Sequence, residues 1–203
     1  MLITAIRQTS PDRLTVSLDD GTEVKSTLGV VTDLRLASGR ELDEKALETL
    51  RQASRRSIAR DKALEYISRR QMSRKELRDK LIQKGEDEDT AEFCAQWLEE
   101  RGFINDESYA VAVARHYAAK GYGAGRVRAA LSRRGVSREL WEDALENMPE
   151  PDSKIDRFIA SRLRDPEDRE QVRKLSAALY RRGYSWEEIR SALGRYNAET
   201  EDY

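Results

Sequence analysis

Between Arg115 and Arg138 the chain carries seven cationic side chains, Arg115, Lys120, Arg126, Arg128, Arg133, Arg134 and Arg138, and no aspartate or glutamate. Such a density of positive charge can neutralise successive phosphates of a nucleic-acid strand and release its condensed counterions. Tyr117 and Tyr122, in the same stretch, supply ring faces on which bases can stack. The competing reading is a solvated helix face whose arginines pair with acids on neighbouring helices. No base-reading helix can be picked out, so contact with backbone or a single strand fits better than recognition of a duplex sequence.

Other chemistry is poorly supplied. The run Lys120-Gly-Tyr-Gly-Ala-Gly125 has the glycines of a phosphate-cradling loop but lacks the Walker spacing, the following Lys-Ser/Thr and a preceding strand. It is read as a flexible interhelical turn, with the backbone N–H groups of a helix starting near Ala124 as a secondary phosphate candidate. His116 and Cys94 are the only residues of their types and fall in different segments, so neither a zinc site nor a Cys-His pair is easily built. Cys94, between Phe93 and Trp97 on an apolar face, reads as packing. Trp97, Trp141 and Trp186 read as core or inter-repeat anchors. The carboxylates lie in dispersed runs such as Glu86 to Asp89, and none selects an acid and base pair. The expectation is a binding protein with no catalytic residue, metal or cofactor.

The positioning elements follow from pattern. Of 203 residues, 38% are hydrophobic and 37% charged, a surface-rich balance that suits an elongated molecule better than a sphere. The net charge of −1 gives no global attraction to a polyanion, so electrostatic function must come from segregation. Segregation is present. Residues 51 to 80 hold 11 bases against 4 acids, 83 to 108 hold 9 acids against 2 bases, and 139 to 156 hold 7 acids against Lys154. Residues 169 to 195 are basic again. One cysteine excludes an internal disulfide framework, and no apolar run approaches the roughly 20 residues of a membrane span. A cytosolic monomer is expected.

Leu14, Val16 and Leu18 alternate with Arg13, Thr15 and Ser17 ahead of Asp20-Gly21 and Thr22 to Lys25, the pattern of a β-hairpin. Leu2 to Ile6 can add a third strand, and Thr27 to Leu36 is ambiguous, its apolar residues fitting a short helix, the favoured reading, or a buried strand. Asp43 is a candidate N-cap for a helix carrying Ala46, Leu47, Leu50 and Ala53. From about residue 60 the chain is helical in pattern and repeats itself. Leu77-x-x-x-Leu81-x-x-Lys84-Gly85, Val127-x-x-x-Leu131-x-x-Arg134-Gly135 and Leu175-x-x-x-Leu179-x-x-Arg182-Gly183 align without gaps, their glycines 50 and 48 residues apart. Aliphatic residues four apart share a helix face, a basic residue suits the helix C-terminus, and glycine accepts the left-handed conformation that stops a helix. Each copy therefore reads as a helix end. Ser73 to Glu76 and Ser185 to Glu188 read as capping boxes and Ser137 as a cap. Preceding helices carry Leu64 and Ile67, Tyr109, Val113 and Tyr117, and Ile155 and Ile159, which makes three helices per unit.

Two stretches go beyond generic helix. Ala63 to Gly85, reading ALEYISRRQMSRKELRDKLIQKG, resembles the first repeat of RecX, the bacterial regulator of the RecA recombinase. Glu100 to Ala110, reading ERGFINDESYA, followed by Gly121 and Arg126 to Gly135, is similar to the second. The resemblance spans about residues 55 to 195 and is weakest around Asp152 to Glu170. It implies a mainly α fold of three tandem three-helix repeats in an elongated curved array, with a small N-terminal region containing a β-hairpin. The expected divisions are 1–42 (β-containing), 43–60 (connecting helix), 61–105, 106–150 and 151–203 (repeats, the last with the tail). It further implies a protein of DNA repair and recombination and the SOS response. It would lie in the groove of a RecA filament on single-stranded DNA, contact both, and inhibit ATP hydrolysis, strand exchange or filament growth. Arg115, Lys120, Tyr122, Arg126, Arg128, Arg133, Arg134 and Arg138 are the candidate contacts. A helical module that binds DNA alone and a helical-repeat protein scaffold are the alternatives.

Overall fold

The structure, a computed structural model, describes residues 1–149 and 152–197; Glu150 of the expected acidic run and the expected tail at 198–203 lie outside the described residues. The fold is mainly helical with one small antiparallel sheet, and it divides into two compact units, Met1–Ile104 and Asn105–Tyr203.

In the first unit β1 (Ile3–Ser10), β2 (Arg13–Leu18) and β3 (Glu23–Thr27) form a sheet in sequence order. Val16 faces Ile6 on one side and Val24 on the other, and the alternation in β2 buries Leu14, Val16 and Leu18 as the pattern requires. The turn into β3 is held by the Asp20 carboxylate, which accepts from the Thr22 amide at 2.9 Å, with Gly21 at φ +83°. The ambiguous segment contains helix α1 (Leu28–Asp33).

Asp43 caps α2 (Glu44–Arg69), accepting from the Ala46 amide at 2.6 Å. The expected connecting helix and the first helix of the first repeat run together as α2, about 39 Å long at 1.5 Å per residue. Neither glycine nor proline interrupts it. Its N-terminal half buries Leu47 and Leu50 beneath the sheet, and its C-terminal half contributes Ala59 and Ala63 to a second core with Leu77, Leu81, Cys94 and Leu98. Between them runs a buried polar seam. The Ser54 hydroxyl donates to Ser26 at 2.8 Å, and Thr27 and Ser57 share a hydrogen bond of the same length. Each buried hydroxyl is thus satisfied. Helices α3 (Arg74–Gln83) and α4 (Glu88–Glu100) complete the unit, α3 opening on the expected Ser73/Glu76 capping box.

The second unit holds α5 (Asp106–Ala119), α6 (Ala124–Arg133), a 3₁₀ turn (Arg138–Leu140) leading into α7 (Trp141–Glu146), then α8 (Asp152–Ala160), α9 (Arg169–Arg181) and α10 (Trp186–Gly194). Ser185 and Glu188 form the second capping box, whereas Ser137 precedes the 3₁₀ turn without a side-chain cap bond. Trp141 is half-buried and donates to the Val136 carbonyl at 3.0 Å. Trp186 departs from the expected core role. Ile189, Ala192 and Leu193 fill that core, and Trp186, in the first turn of α10, stays 40% exposed and stacks on Tyr180 at 5.2 Å.

All three motif glycines stop their helices in the left-handed region, Gly85 at φ +93°, Gly135 at +67° and Gly183 at +92°. The amide of the following residue returns to the carbonyl of the motif's second leucine in every copy: Glu86 to Leu81, Val136 to Leu131 and Tyr184 to Leu179, at 3.1–3.3 Å. This is the Schellman closure, so one leucine both anchors the core and closes the helix.

The third copy has a further duty. The Gly123 amide donates to the Arg182 carbonyl at 3.0 Å and the Gly125 amide to the Gly183 carbonyl at 2.9 Å, seating the start of α6 on the end of α9. A Cβ on Gly123 would stand 2.5 Å from the Gly183 carbonyl oxygen, and one on Gly183 would overlap the Arg126 backbone; around Gly85 the space is open. Gly85→Ala is expected to cost about 1–2 kcal/mol, the left-handed penalty alone, and Gly183→Ala more than about 3 kcal/mol because overpacking adds to it. Urea denaturation of the two variants checks the difference.

Candidate nucleic-acid interface

Helices α5 and α6 and the turns around them carry the candidate cations. Arg115 and Lys120 are exposed on and after the C-terminal part of α5, Arg126, Arg128 and Arg133 are exposed on α6, and Arg138 is exposed in the 3₁₀ turn. Arg134 differs. It is half-buried at the end of α6, donating from Nε to the Tyr109 hydroxyl at 3.1 Å and from a terminal nitrogen to the Ala130 carbonyl at 3.2 Å. Burial works against its charge, but hydrogen bonds to Tyr109 and Tyr117 outweigh this and raise its pKa. Its geometry is that of a helix-end clamp.

Arg128 pairs with Glu142 at 3.2 Å on an exposed surface, a contact worth at most about 1 kcal/mol. Among the described residues, Arg115, Lys120, Arg126, Arg133 and Arg138 have no carboxylate within ion-pair distance. Tyr117 registers the field. Burial pushes its phenol up, yet hydrogen bonding and charge from Arg134 and Arg133 hold it below the ordinary tyrosine value.

The tyrosines are less available than their sequence position implies. Tyr122 is half-buried, 5.6 Å from Tyr117, with Arg126 and Arg182 over its ring at 5.9 and 5.5 Å. Arg182 also donates to the Gly121 carbonyl at 3.2 Å and lies 4.3 Å from the Phe158 ring. The glycine run is not a free turn, and the secondary phosphate site fails with it, since the Gly123 and Gly125 amides are spent on α9. His116 is exposed against the edge of Tyr117, and Cys94 is fully buried with its thiol pushed up to about 11 by burial. Among the described residues no group of three or more His, Cys, Asp or Glu is placed to hold a metal, and no helix is long and apolar enough to cross a membrane.

The first repeat treats its charge differently. Arg55 meets Asp87 at 2.7 Å, Lys62 meets Glu86 at 2.6 Å, Arg78 meets Glu92 at 3.1 Å, and Arg74 bridges Glu92 and Glu99. There the basic and acidic runs largely fold into pairs; in the second repeat Arg115, Lys120, Arg126, Arg133 and Arg138 are exposed with no carboxylate partner among the described residues. A second set of unpaired guanidiniums escaped the sequence reading: Arg56 and Arg60 of α2, laid on Phe93 and Trp97 of α4. The signal was present as two i, i+4 pairs, masked by their membership in one long basic run.

Family models describing the first, second and third three-helix domains of RecX match residues 59–103, 105–145 and 159–193. A protein named regulatory protein RecX from Vibrio vulnificus is 31% identical over 138 residues, covering 66% of this chain and 90% of its own. Its namesake from Xanthomonas axonopodis pv. citri is 34% identical over 141 residues, covering 68% and 86%. A crystal structure of regulatory protein RecX superposes with a TM-score of 0.77 at 23% identity, covering 96% of this chain and 98% of that one. RecX from Lactobacillus salivarius gives 0.62 at 24%, covering 71% and 98%. At these identities the two structures speak for the fold.

The division between clamp and surface is testable. Arg134→Gln is expected to lower the stability of the chain by about 1–2 kcal/mol through its lost charge-assisted hydrogen bonds, and Arg133→Gln by no more than about 0.5 kcal/mol. Equal losses in chemical denaturation would remove the distinction.

Proposed function

The chain belongs to the RecX family of regulatory proteins, and from that premise we propose that it is a negative modulator of the RecA recombinase. In this reading it binds the groove of the RecA filament on single-stranded DNA and inhibits its ATPase, strand exchange or extension. It acts as a non-enzymatic monomer in the cytoplasm. One observation supports the location of the contact: Arg115, Lys120, Arg126 and Arg133 are exposed and have no carboxylate partner among the described residues, while the bases of the first repeat that face α3 and α4 acids are paired. Free cations attract phosphate or an acidic protein face without first breaking an ion pair. Arg138 and Tyr122 border this set; Arg128 joins it by exchanging Glu142 for a ligand, and Arg134 holds the helix end that presents it.

Adding this protein to RecA hydrolysing ATP on single-stranded DNA is expected to lower the rate at less than one molecule per RecA protomer. Unchanged hydrolysis with no filament binding would sink the proposal. Replacing Arg115, Lys120, Arg126 and Arg133 together by Gln is expected to abolish most of the inhibition. It should also flatten the log–log salt dependence of binding by about 0.7 for each phosphate that is no longer neutralised. Replacing the paired Arg55, Lys62 and Arg78 by Gln is expected to leave inhibition in place.

A further inference from the structure

Helix α4 presents two chemically distinct faces. Glu92 and Glu99 turn towards α3, where Arg74 and Arg78 neutralise them. Phe93 and Trp97 turn towards α2, where the Arg56 guanidinium lies 4.2 Å from the Phe93 ring centre and Arg60 lies 5.0 Å from that of Trp97. Arg101, at the end of α4, covers Trp97 as well, at 4.2 Å, with one terminal nitrogen donating to the Trp97 carbonyl at 3.5 Å and its other donors left over. These three guanidiniums have no carboxylate within ion-pair distance among the described residues, although the helices they sit on are rich in acids. Three neighbouring acids have other partners: Asp87 pairs with Arg55, Glu86 with Lys62, and Glu100 accepts from Gln96.

A guanidinium stacked on an aromatic ring uses its flat face and keeps its in-plane N–H donors for an acceptor at its edge. Arg56 and Arg60 are half-buried, so their charge has lost part of its hydration without gaining a counter-charge. An anion supplied from outside corrects this.

Phe103 indicates which kind of anion. The residues that follow the helix-stopping Gly135 and Gly183, Val136 and Tyr184, turn into their cores at 4% and 3% exposure. Phe103, following Gly102 in the same closure, with its amide returned to the Leu98 carbonyl at 2.9 Å, is 57% exposed. Its ring stacks beside Trp97, 6.4 Å between centres and 13° from parallel. The backbone thus holds a flat apolar face in water, next to three unpaired cations. Unpaired bases present a matching flat face and bring a phosphate with each nucleotide, whereas a duplex hides its base faces.

We propose that this arginine–aromatic stripe between α2 and α4 is a binding site for a single nucleic-acid strand, with a base on Phe103 and phosphates at Arg56, Arg60 and Arg101. The site goes beyond the filament reading, because it needs no RecA and lies in the other compact unit from the second-repeat cations.

The test uses the full chain without RecA, carrying Gln at 115, 120, 126 and 133 so that the second repeat contributes little. Fluorescence anisotropy of a labelled oligothymidylate and of an abasic strand of the same length, in about 50 mM salt, reads the affinity. Phe103→Ala is expected to weaken oligothymidylate binding about tenfold, the loss of one stacked base, and to leave the abasic strand and the thermal melt unchanged. Phe103→Tyr is expected to retain binding. The proposal is overturned if Phe103→Ala binds oligothymidylate like its parent, or if it loses equally on the abasic strand. It also fails if a poly-glutamate peptide competes as well as the strand at equal charge, which would assign the stripe to an acidic protein. Failure of RecA inhibition bears only on the filament reading, and failure here only on the stripe.

Discussion

A helix that stops leaves carbonyls without partners at its end and amides without partners at the start of the next helix, and the rest of this structure depends on how those groups are closed. In each repeat the middle helix ends on the same device, a left-handed glycine with the following amide folded back to the carbonyl of a core leucine. Because that leucine is also buried, the helix end and the core cannot be moved independently. In the second unit the device is used twice over. The carbonyls of Arg182 and Gly183 accept from Gly123 and Gly125, so the end of α9 closes the start of α6. The positive end of one helix meets the negative end of another, and three glycines let the backbones approach. The side chains of α6 are thereby presented from an anchored base.

Charge is distributed by the same geometry. A run of bases followed in the chain by a run of acids has two fates, mutual pairing or presentation to a partner. In the first unit α3 and α4 are antiparallel neighbours, and Arg74 and Arg78 lie opposite Glu92 and Glu99. In the second unit the acids of α7 reach the candidate cations once, at Arg128 and Glu142. Exposed pairs of this kind add little stability. Their importance is that they decide which cations remain to be neutralised by something else.

The first unit adds a polar seam to its apolar cores. Ser26, Thr27, Ser54 and Ser57 are buried and hydrogen-bonded to one another across the line where β3 meets α2, Thr27 also accepting from the Val30 amide as the cap of α1. Arg13 and Asp61 pair beyond its exposed edge at 2.5 Å. Hydroxyls that must meet a partner fix the register of strand against helix more strictly than aliphatic contacts do. With α2 uninterrupted, the sheet is tied directly to the first repeat.

The amino-acid sequence by itself determined the repeat, the hairpin, the short helix after it, the caps at Asp43, Ser73 and Ser185, and the glycine stops. Each of these is closed by partners within a few residues, so pattern and spacing carry the whole interaction. What only the tertiary structure decided lies between distant positions. Arg55 finds Asp87, 32 residues away, and Arg182 finds Gly121, 61 residues away. Composition cannot say which arginine of a run faces an acid, which covers an aromatic ring and which faces solvent. Thus Arg133 and Arg134, adjacent and identical in type, became a surface cation and a helix clamp, because one step along a helix turns a side chain by 100°. The seven cations from which the interface reading began are accordingly of three kinds: exposed, paired, and built into the fold.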